Sequence, residues 1–303
     1  MSENSKSRSI KSHYNAVAAA YHEQYDPERL RDLSRPYPAN YFRLQKLLES
    51  FQANGVKRAL EVGVGDGAPL AAVARLGIDV WGFDLAEVMV SKAKGVVEAG
   101  GGNPAQIFIG DIQTPKTYID RLPDNGFDGV IAMGVMPHIE SEQTVLENIT
   151  ALVQPGGRVF IEFRNKLFSF FTFNRNTLEF IVDELLLNAT SEMRERVRKD
   201  LTLKLRMDLP PIRDRVQGSD APGYDAILSK FHNPFEMVDL FKSIGYDALE
   251  LHWYHYHPAM PYLEQDSPKE FRNGAISMEH ESSGWRGYFL ASAFVVEAVK
   301  RPD

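Results

Sequence analysis

The sequence predicts an α/β fold built on a doubly wound, mostly parallel sheet. Between residues 58 and 163, short apolar runs alternate with segments of helical periodicity, which is the pattern of successive βαβ units. A second observation is the placement of three alternate glycines, Gly63, Gly65 and Gly67, directly after the first apolar run. Such glycines mark the turn where a strand passes into a helix and the backbone comes close to a ligand.

The elements of the first half follow in a regular order. Residues 1–12 are polar and predicted to be loose, and helical spacing then favours helices over 13–25 and 39–51, before Asn54-Gly55. Strands and helices then alternate. Strands are predicted at residues 58–62, 79–83, 105–109, 127–132 and 158–163, with helices at 69–76, 86–98 and 142–153.

Regularity stops after Asn165 and returns at Asn233. The intervening stretch holds a phenylalanine cluster at 168–173 and a charged helical run at 190–205, whereas 233–243 is predicted as a helix, 248–255 as a strand and 288–299 as a final strand. We therefore expect a helical cap over 1–38 and a core made of 39–165 with 233–303. Residues 166–232 would form an inserted, largely helical lid that binds the acceptor, and 258–287 a second, irregular insertion.

Composition narrows the function. The chain has 303 residues, with 34 Lys and Arg against 41 Asp and Glu, and its charge of −7 disfavours nucleic acid as a partner. The absence of cysteine excludes disulfides, thiol nucleophiles and cysteine-ligated zinc. No apolar run approaches the roughly eighteen residues of a membrane span, and the polar N-terminus lacks a signal-peptide core, so a cytoplasmic location and no membrane partner are expected.

The glycine turn is compatible with two cofactor classes. Gly63, Gly65 and Ala68 formally match the dinucleotide fingerprint, and an acidic residue lies near the end of the second strand. Glu61 separates the two readings, because a carboxylate beside a diphosphate would repel it by roughly 4 kcal/mol at 4 Å and an effective dielectric near 20. The same carboxylate attracts an ammonium or a sulfonium group. A cationic ligand is therefore favoured.

An ordered set of four motifs resembles the class I S-adenosylmethionine-dependent methyltransferases. The set consists of Glu61 to Gly67, Asp84, Gly110-Asp111 and Pro155-Gly156-Gly157, and the resemblance covers about residues 13–165 and 233–300. It implies the Rossmann-like fold of that family, with an antiparallel pair of C-terminal strands. It also implies S-adenosyl-L-methionine as the cofactor.

The resemblance assigns cofactor-binding roles residue by residue. Glu61 would face the methionine ammonium, the backbone at Gly63 and Gly65 would pass close to the ligand, and Asp84 would accept from both ribose hydroxyls. Leu85 would lie on the adenine face, with Asp111 and the Ile112 amide at its edge. Met133 would pass under the methyl-bearing sulfur. An N-terminal helix carrying Tyr14 and Tyr21 would close over the cofactor, although core packing explains those tyrosines equally well.

The acceptor site is predicted from residues outside the family motifs. His138 follows the fourth strand at the edge where open α/β sheets place their ligands, and it is the candidate general base, with a structural role as the alternative. Arg164, after the fifth strand, would hold an acidic group of the substrate or pair with a local carboxylate. His255 and His257 would share one face of an extended chain and contribute to a substrate pocket.

These features predict an enzyme that methylates a small-molecule acceptor, most simply at oxygen, by in-line displacement. A nicotinamide-dependent oxidoreductase, a small-molecule N-methyltransferase and a non-catalytic scaffold remain alternatives. No metal site is expected, since the histidines near residue 255 have no acid at a standard ligand spacing. Nothing in the sequence indicates an oligomer.

Overall fold

A single seven-stranded sheet organises the molecule. The computed structural model describes residues 5–17, 25–281 and 283–302, and in these residues the sheet has the order β3-β2-β1-β4-β5-β7-β6. All neighbouring strands are parallel except β7, which runs antiparallel to both β5 and β6. Strands β1 to β7 span Arg58–Val62, Asp79–Asp84, Ile107–Ile109, Phe127–Ala132, Val153–Arg164, Tyr246–Tyr256 and Ala291–Lys300. The predicted fold class is confirmed.

The direction of strand addition reverses between β1 and β4. From β1 the chain adds β2 and β3 on one side and then returns to add β4 and β5 on the other. Helices on the two sides must diverge at that point, which leaves a crevice at the carboxyl ends of the strands. The ends of β1, β2 and β4 are therefore where a ligand site is expected.

Helices cover both faces of the sheet. The ten α-helices of the described residues, α1 to α10, span Ser5–Val17, Asn40–Ala53, Ala68–Ala74, Glu87–Ala99, Glu142–Leu152, Arg175–Glu179, Ser191–Lys204, Pro234–Ser243, Pro268–Glu279 and Gly287–Leu290. Helices α2, α3 and α4 contribute to one apolar cluster with the sheet, and α5 and α8 to another. Within the described part, no helix combines the length and the apolar character needed to cross a bilayer.

The N-terminal expectations were wrong in their placement. Residues 1–12 were expected to be loose, yet α1 begins at Ser5 and ends at Val17, so the predicted helix over 13–25 starts too late. The buried residues of α1 are polar, Ser7 and His13, and apolar periodicity therefore could not reveal it. Residues 18–24, which include Tyr21, lie outside the described residues.

Two further expectations need correction in the C-terminal part. The stretch 258–287 was expected to be irregular, yet it contains α9, in which Pro268 occupies the first turn and Phe271 and Ala275 are buried one turn apart. The final strand was expected from residue 288, yet it begins at Ala291, because 287–290 form α10. An apolar run alone does not distinguish a short helix from a strand. The charged run at 190–205 does form a helix, α7, with no buried residue.

Glu279, at the end of α9, is a buried acid close to the sheet. It is 3% exposed, and its Oε1 accepts hydrogen bonds from the Tyr37 hydroxyl at 3.3 Å and the Tyr256 amide at 3.0 Å. Burial raises the pKa of Glu279 to about 8. The carboxyl group is therefore protonated in the folded protein at pH values where the unfolded chain has released its proton.

Glu279 should make the folded state less stable as pH rises from about 5 to 8, because the folded state binds the proton that the unfolded state, with a pKa near 4.3, has lost. We expect Glu279→Gln, which keeps an acceptor oxygen, to flatten the fall of Tm over this range. Thermal unfolding followed by circular dichroism at several pH values measures it. Glu98→Gln, at an exposed position, is the control. A wild-type pH slope in the Glu279→Gln variant would contradict the assignment.

Candidate active site

A cavity lies in the crevice at the carboxyl ends of β1, β2 and β4, and we call it the strand-end cavity. Helix α1 covers it through Ser7, Ile10 and Tyr14. Nine residues that the sequence analysis singled out line this cavity: Tyr14, Gly63, Gly65, Asp84, Leu85, Asp111, Ile112, Met133 and His138. Residues from separate segments of the chain thus converge at the edge where the topology predicts a ligand.

The glycine turn adopts a conformation that side chains rarely permit. Gly63 has φ of 69°, and a Cβ atom there would lie 2.4 Å from Cγ2 of Val135. Gly67 has φ of 85°, and its Cβ would lie 2.9 Å from the Cα of Ala93 in α4. The first glycine therefore allows a close approach beside β4, and the last allows α3 and α4 to pack closely.

Asp84 ties the glycine turn to the end of β2. Its Oδ2 accepts a hydrogen bond from the Gly65 amide at 2.9 Å, and its Oδ1 accepts one from the Ala86 amide at 2.8 Å. Burial raises the pKa of Asp84, while these amide donors oppose the rise. Because each carboxylate oxygen has a second lone pair, these two bonds leave room for a ligand hydroxyl. The ribose role remains a prediction.

Glu61 is not among the residues that line the strand-end cavity. It is 1% exposed, and within the described residues its Oε2 has no hydrogen-bond partner. Burial raises the pKa of Glu61 well above its usual range, Arg43 opposes this rise, and Asp66 and Asp84 reinforce it. A buried oxygen without a donor is costly, so a donor supplied from the cavity would stabilise it. The predicted contact with an ammonium group remains a prediction.

Asp111 holds the loop that follows β3. Its Oδ1 accepts from the Gln113 amide at 2.9 Å, which is the local turn role that a loop aspartate often has. The neighbouring Ile112 is 5% exposed, and Met133, after β4, is also 5% exposed. Both side chains make this part of the strand-end cavity wall apolar.

A second, larger cavity opens beside the first, and we call it the inner cavity. It has a volume of about 840 Å³ and shares Tyr14, Gly134 and His138 with the strand-end cavity. Its walls come from the ends of β5 and β6 and from the segment 166–232, which contributes Phe168, among others. The volume is that of a small-molecule site. The two cavities meet at the three shared residues.

A buried ion pair lies at the floor of the inner cavity. Arg43 of α2 is 3% exposed and donates from Nη1 to Glu162 Oε2 at 3.0 Å and to the Tyr254 hydroxyl at 3.0 Å. Its Nη2 donates to the Tyr25 hydroxyl at 2.6 Å. The same Glu162 oxygen accepts from the Gly134 amide at 2.5 Å, so this pair fixes the loop after β4 between the two cavities.

His138 is held in one tautomer. Its Nδ1 lies 2.7 Å from the Leu228 carbonyl, which can only accept, so Nδ1 carries the proton and Nε2 accepts from the Tyr14 hydroxyl at 2.7 Å. Burial lowers the pKa of His138 to about 4, and the charge of Arg164 also lowers it. The imidazole is neutral at physiological pH, and its basic nitrogen faces the boundary of the cavities. The base role remains a prediction.

The three histidines of β6 and the loop after it do not act together. His255 and His257 both line the inner cavity, with ring centres 4.9 Å apart, and burial lowers the pKa of His255 to about 4. His252 instead accompanies Glu297 of β7, at 2.8 Å, away from this cavity. Glu250 completes a group of three possible metal ligands there, which the sequence analysis did not anticipate. Glu297 already accepts from Ser50, so we assign no metal to this group.

Arg164, at the end of β5, lines the inner cavity and is held by aromatic rings. Its guanidinium carbon lies 4.3 Å from the ring centre of Phe231 and 5.0 Å from that of Tyr224, and Nη1 donates to Ser229 Oγ at 3.1 Å. The expected pairing with a local carboxylate is not observed within the described residues. The alternative from the sequence, an acidic substrate group, is therefore left open by the geometry.

Sequence reasoning missed residues that only the fold brings to the site. Arg43 follows an aromatic pair in an ordinary amphipathic helix, and nothing local distinguishes it from a surface arginine. Tyr224 stands in a loop-like stretch, yet its ring lies 5.4 Å from that of His138. Tyr254 was not among the predicted site residues. Their contacts span long distances in sequence, so no periodicity could have found them.

Comparisons with known proteins agree with this geometry. A family model described as a methyltransferase domain matches residues 60–161. The chain is 29% identical to the ubiquinone biosynthesis O-methyltransferase of Bordetella avium over 171 residues, which are 55% of this chain and 62% of that protein. It is 33% identical to the Paracidovorax citrulli protein of the same name over 130 residues, 42% of this chain and 48% of that one. The chain therefore spans less than two thirds of these curated relatives.

A solved structure resembles most of the chain in fold. It is the Haloferax volcanii complex of the Trm112 methyltransferase activator with a protein described as a methyltransferase, and the TM-score is 0.50 at 14% identity. The alignment covers 95% of this chain and 97% of that chain. At this identity the likeness shows the fold alone.

Breaking the buried Arg43–Glu162 pair should cost more stability than breaking an exposed pair. Arg43→Met leaves the buried Glu162 without its cation, so we expect the free energy of unfolding to fall by about 3–5 kcal/mol. Arg58→Met removes the half-exposed pair with Asp79 and should cost at most about 1 kcal/mol. Urea unfolding measures both. Equal losses in the two variants would contradict the role given to the buried pair.

Proposed function

We propose that the protein methylates a small molecule at oxygen with S-adenosyl-L-methionine as the methyl donor, from the premise that residues 60–161 match the model of a methyltransferase domain. The observation that carries the proposal is the strand-end cavity, where a glycine turn, a buried acid and an apolar wall converge. The named O-methyltransferase relatives support oxygen as the acceptor atom.

The residues present fit S-adenosyl-L-methionine. The Oε2 of Glu61, two residues before the glycine turn, is a buried acceptor without a donor in the described residues, and an ammonium group or a water molecule would satisfy it. Asp84 would accept from the ribose hydroxyls through its remaining lone pairs. Leu85 and Ile112 would lie against the adenine ring, and Asp111 at its edge. Tyr14 of α1 would cover the ligand.

The chain's own contribution is alignment and exclusion of water. When bound, S-adenosylmethionine supplies a methyl group already activated on a sulfonium. The shared boundary at Gly134, fixed by Glu162, would hold the two reactants in line, since the inner cavity takes the acceptor. His138, neutral with a free electron pair directed to Tyr14, would receive the proton of an acceptor hydroxyl once Tyr14 yields that position.

The charge of the chain and the size of the inner cavity both support a small acceptor. The acidic balance of the chain, −7, supports a small-molecule acceptor over nucleic acid. The inner cavity, at about 840 Å³, also has the size of such an acceptor. We propose that residues 166–232 form the lid that selects it, and that the enzyme acts in the cytoplasm.

A nicotinamide-dependent oxidoreductase is the second candidate, and one observation disfavours it. Glu61, two residues before the glycine turn, is a buried acid whose Oε2 lacks a hydrogen-bond donor within the described residues, and a diphosphate would offer it none. Isothermal calorimetry with S-adenosylhomocysteine and NAD, run in parallel, decides between them. We expect binding of S-adenosylhomocysteine alone, and binding of NAD alone would overturn the proposal.

Asp84 should be required for cofactor affinity. Loss of two charge-assisted hydrogen bonds in Asp84→Ala should weaken S-adenosylhomocysteine binding by about tenfold or more. Asp79→Ala, at the other end of the same strand, is the matched control and should bind normally. Calorimetry measures both, with circular dichroism to verify folding. Unchanged affinity in the Asp84 variant would refute the ribose assignment.

His138 should affect turnover more than binding. We expect His138→Ala to lower kcat by about 10²-fold with little change in cofactor affinity, because proton removal is lost while the glycine turn is intact. Since burial lowers the pKa of His138 to about 4, the wild-type rate should show no titration of this histidine between pH 5 and 8. A pH–rate profile with released S-adenosylhomocysteine as the readout tests this. Near-normal rates in the variant would assign His138 a structural role.

A further inference from the structure

The wall of the inner cavity has more basic than acidic side chains. Arginines at positions 43, 164, 213 and 215 line it, whereas Glu162 is its only carboxylate within the described residues. Glu162 is already committed to Arg43 and to the Gly134 amide. The remaining arginines therefore set the sign of the potential in the cavity.

Two of those arginines are neutralised from outside the cavity. Arg213 pairs with Asp225 at 3.0 Å, and Arg215 pairs with Asp220 at 3.1 Å. Neither Asp225 nor Asp220 lines the cavity. Each ion pair nevertheless offsets much of the positive charge that its arginine would present to the cavity. Among the described residues, Arg164 is the cavity arginine without such a pair.

Arg164 keeps its charge. Its contacts are the faces of Tyr224 and Phe231 and the hydroxyl of Ser229, and in the described part of the chain it has no carboxylate partner. Aromatic faces hold a guanidinium in place without neutralising it. Strand β5 and the adjoining segment thus fix a cation whose position is set before any ligand arrives.

Arg164 shares the wall of the inner cavity with two neutral histidines. Burial lowers the pKa of His138 and that of His255 to about 4, the charge of Arg164 lowers both further, and Glu162 opposes it. The two histidines therefore neither add to nor offset the charge of Arg164. A localised positive charge therefore faces the space where the acceptor would bind.

We infer that the acceptor is an organic acid whose carboxylate is bound by Arg164, an inference that rests on the proposed function for the identity of the cavity. A planar guanidinium binds a carboxylate through two parallel hydrogen bonds, and desolvation in a cavity strengthens them. One uncompensated arginine matches a monoanion, whereas a phosphate dianion would require more positive charge. The carboxylate is the recognition group, and the methyl group goes to an oxygen near His138.

The test compares acids with their neutral amides. The probes are 3,4-dihydroxybenzoate with 3,4-dihydroxybenzamide and 4-hydroxycinnamate with 4-hydroxycinnamamide, titrated by calorimetry with and without saturating S-adenosylhomocysteine. We expect each acid to bind the wild-type protein about tenfold or more tightly than its amide. Arg164→Gln should abolish that preference, and Arg164→Lys should keep part of it because the charge remains.

A matched control is available outside the cavity. Arg121 also stacks on a ring, at 4.1 Å from the centre of Phe108, and Arg121→Gln should keep the full preference for acids. Equal binding of acids and amides, no binding of either, or an unchanged preference in Arg164→Gln would overturn the inference. Affinity for S-adenosylhomocysteine is measured separately in the wild type and in every variant. If the wild-type protein does not bind S-adenosylhomocysteine, the proposed function is refuted, and the preference for acids stands as an independent result.

Discussion

One buried guanidinium connects the parts of the molecule that form the site. Arg43, on a helix that precedes the sheet in sequence, bonds to Tyr25, to Glu162 of β5 and to Tyr254 of β6. Through Glu162 it also fixes the amide of Gly134 between the two cavities. A pair buried this deeply contributes little net stability over apolar side chains, but it defines one arrangement, because a displaced partner would leave a charge uncompensated.

The two cavities divide between different parts of the chain. The strand-end cavity is built chiefly from residues 60–161, the part that the family model matches. Most of the inner cavity comes from elsewhere, including the segment 166–232 and the ends of β5 and β6. The matched part of the chain thus forms most of one cavity, and residues outside it form most of the other.

Most residues predicted near the glycine turn line the strand-end cavity, because the sequence signals there are local. Gly63 and Asp84 each follow an apolar strand, and parallel strands bring their carboxyl ends to one edge. The same reasoning placed Met133 and His138 near them. Glu61 does not line the strand-end cavity, although its neighbour Val62 does, and its contact with a ligand remains a prediction.

The residues of the inner cavity were only partly predictable from the sequence, because their contacts are distant in sequence. Arg164 was identified from its position at a strand end, but its aromatic partners lie 60 and 67 residues further along the chain, at Tyr224 and Phe231. Helix α1 was misplaced because the residues it buries are polar. Tertiary packing, which sequence periodicity does not encode, decided both outcomes.

The aromatic mounting of Arg164 makes the inner cavity an electrostatic site that responds little to ordinary changes in acidity. Three histidines share its wall. Burial lowers the pKa values of His138 and His255 to about 4, and it lowers that of His257 well below its usual range. An arginine stays protonated throughout. Selection between charged and neutral metabolites would consequently change little between a resting cell and one whose interior has turned mildly acidic.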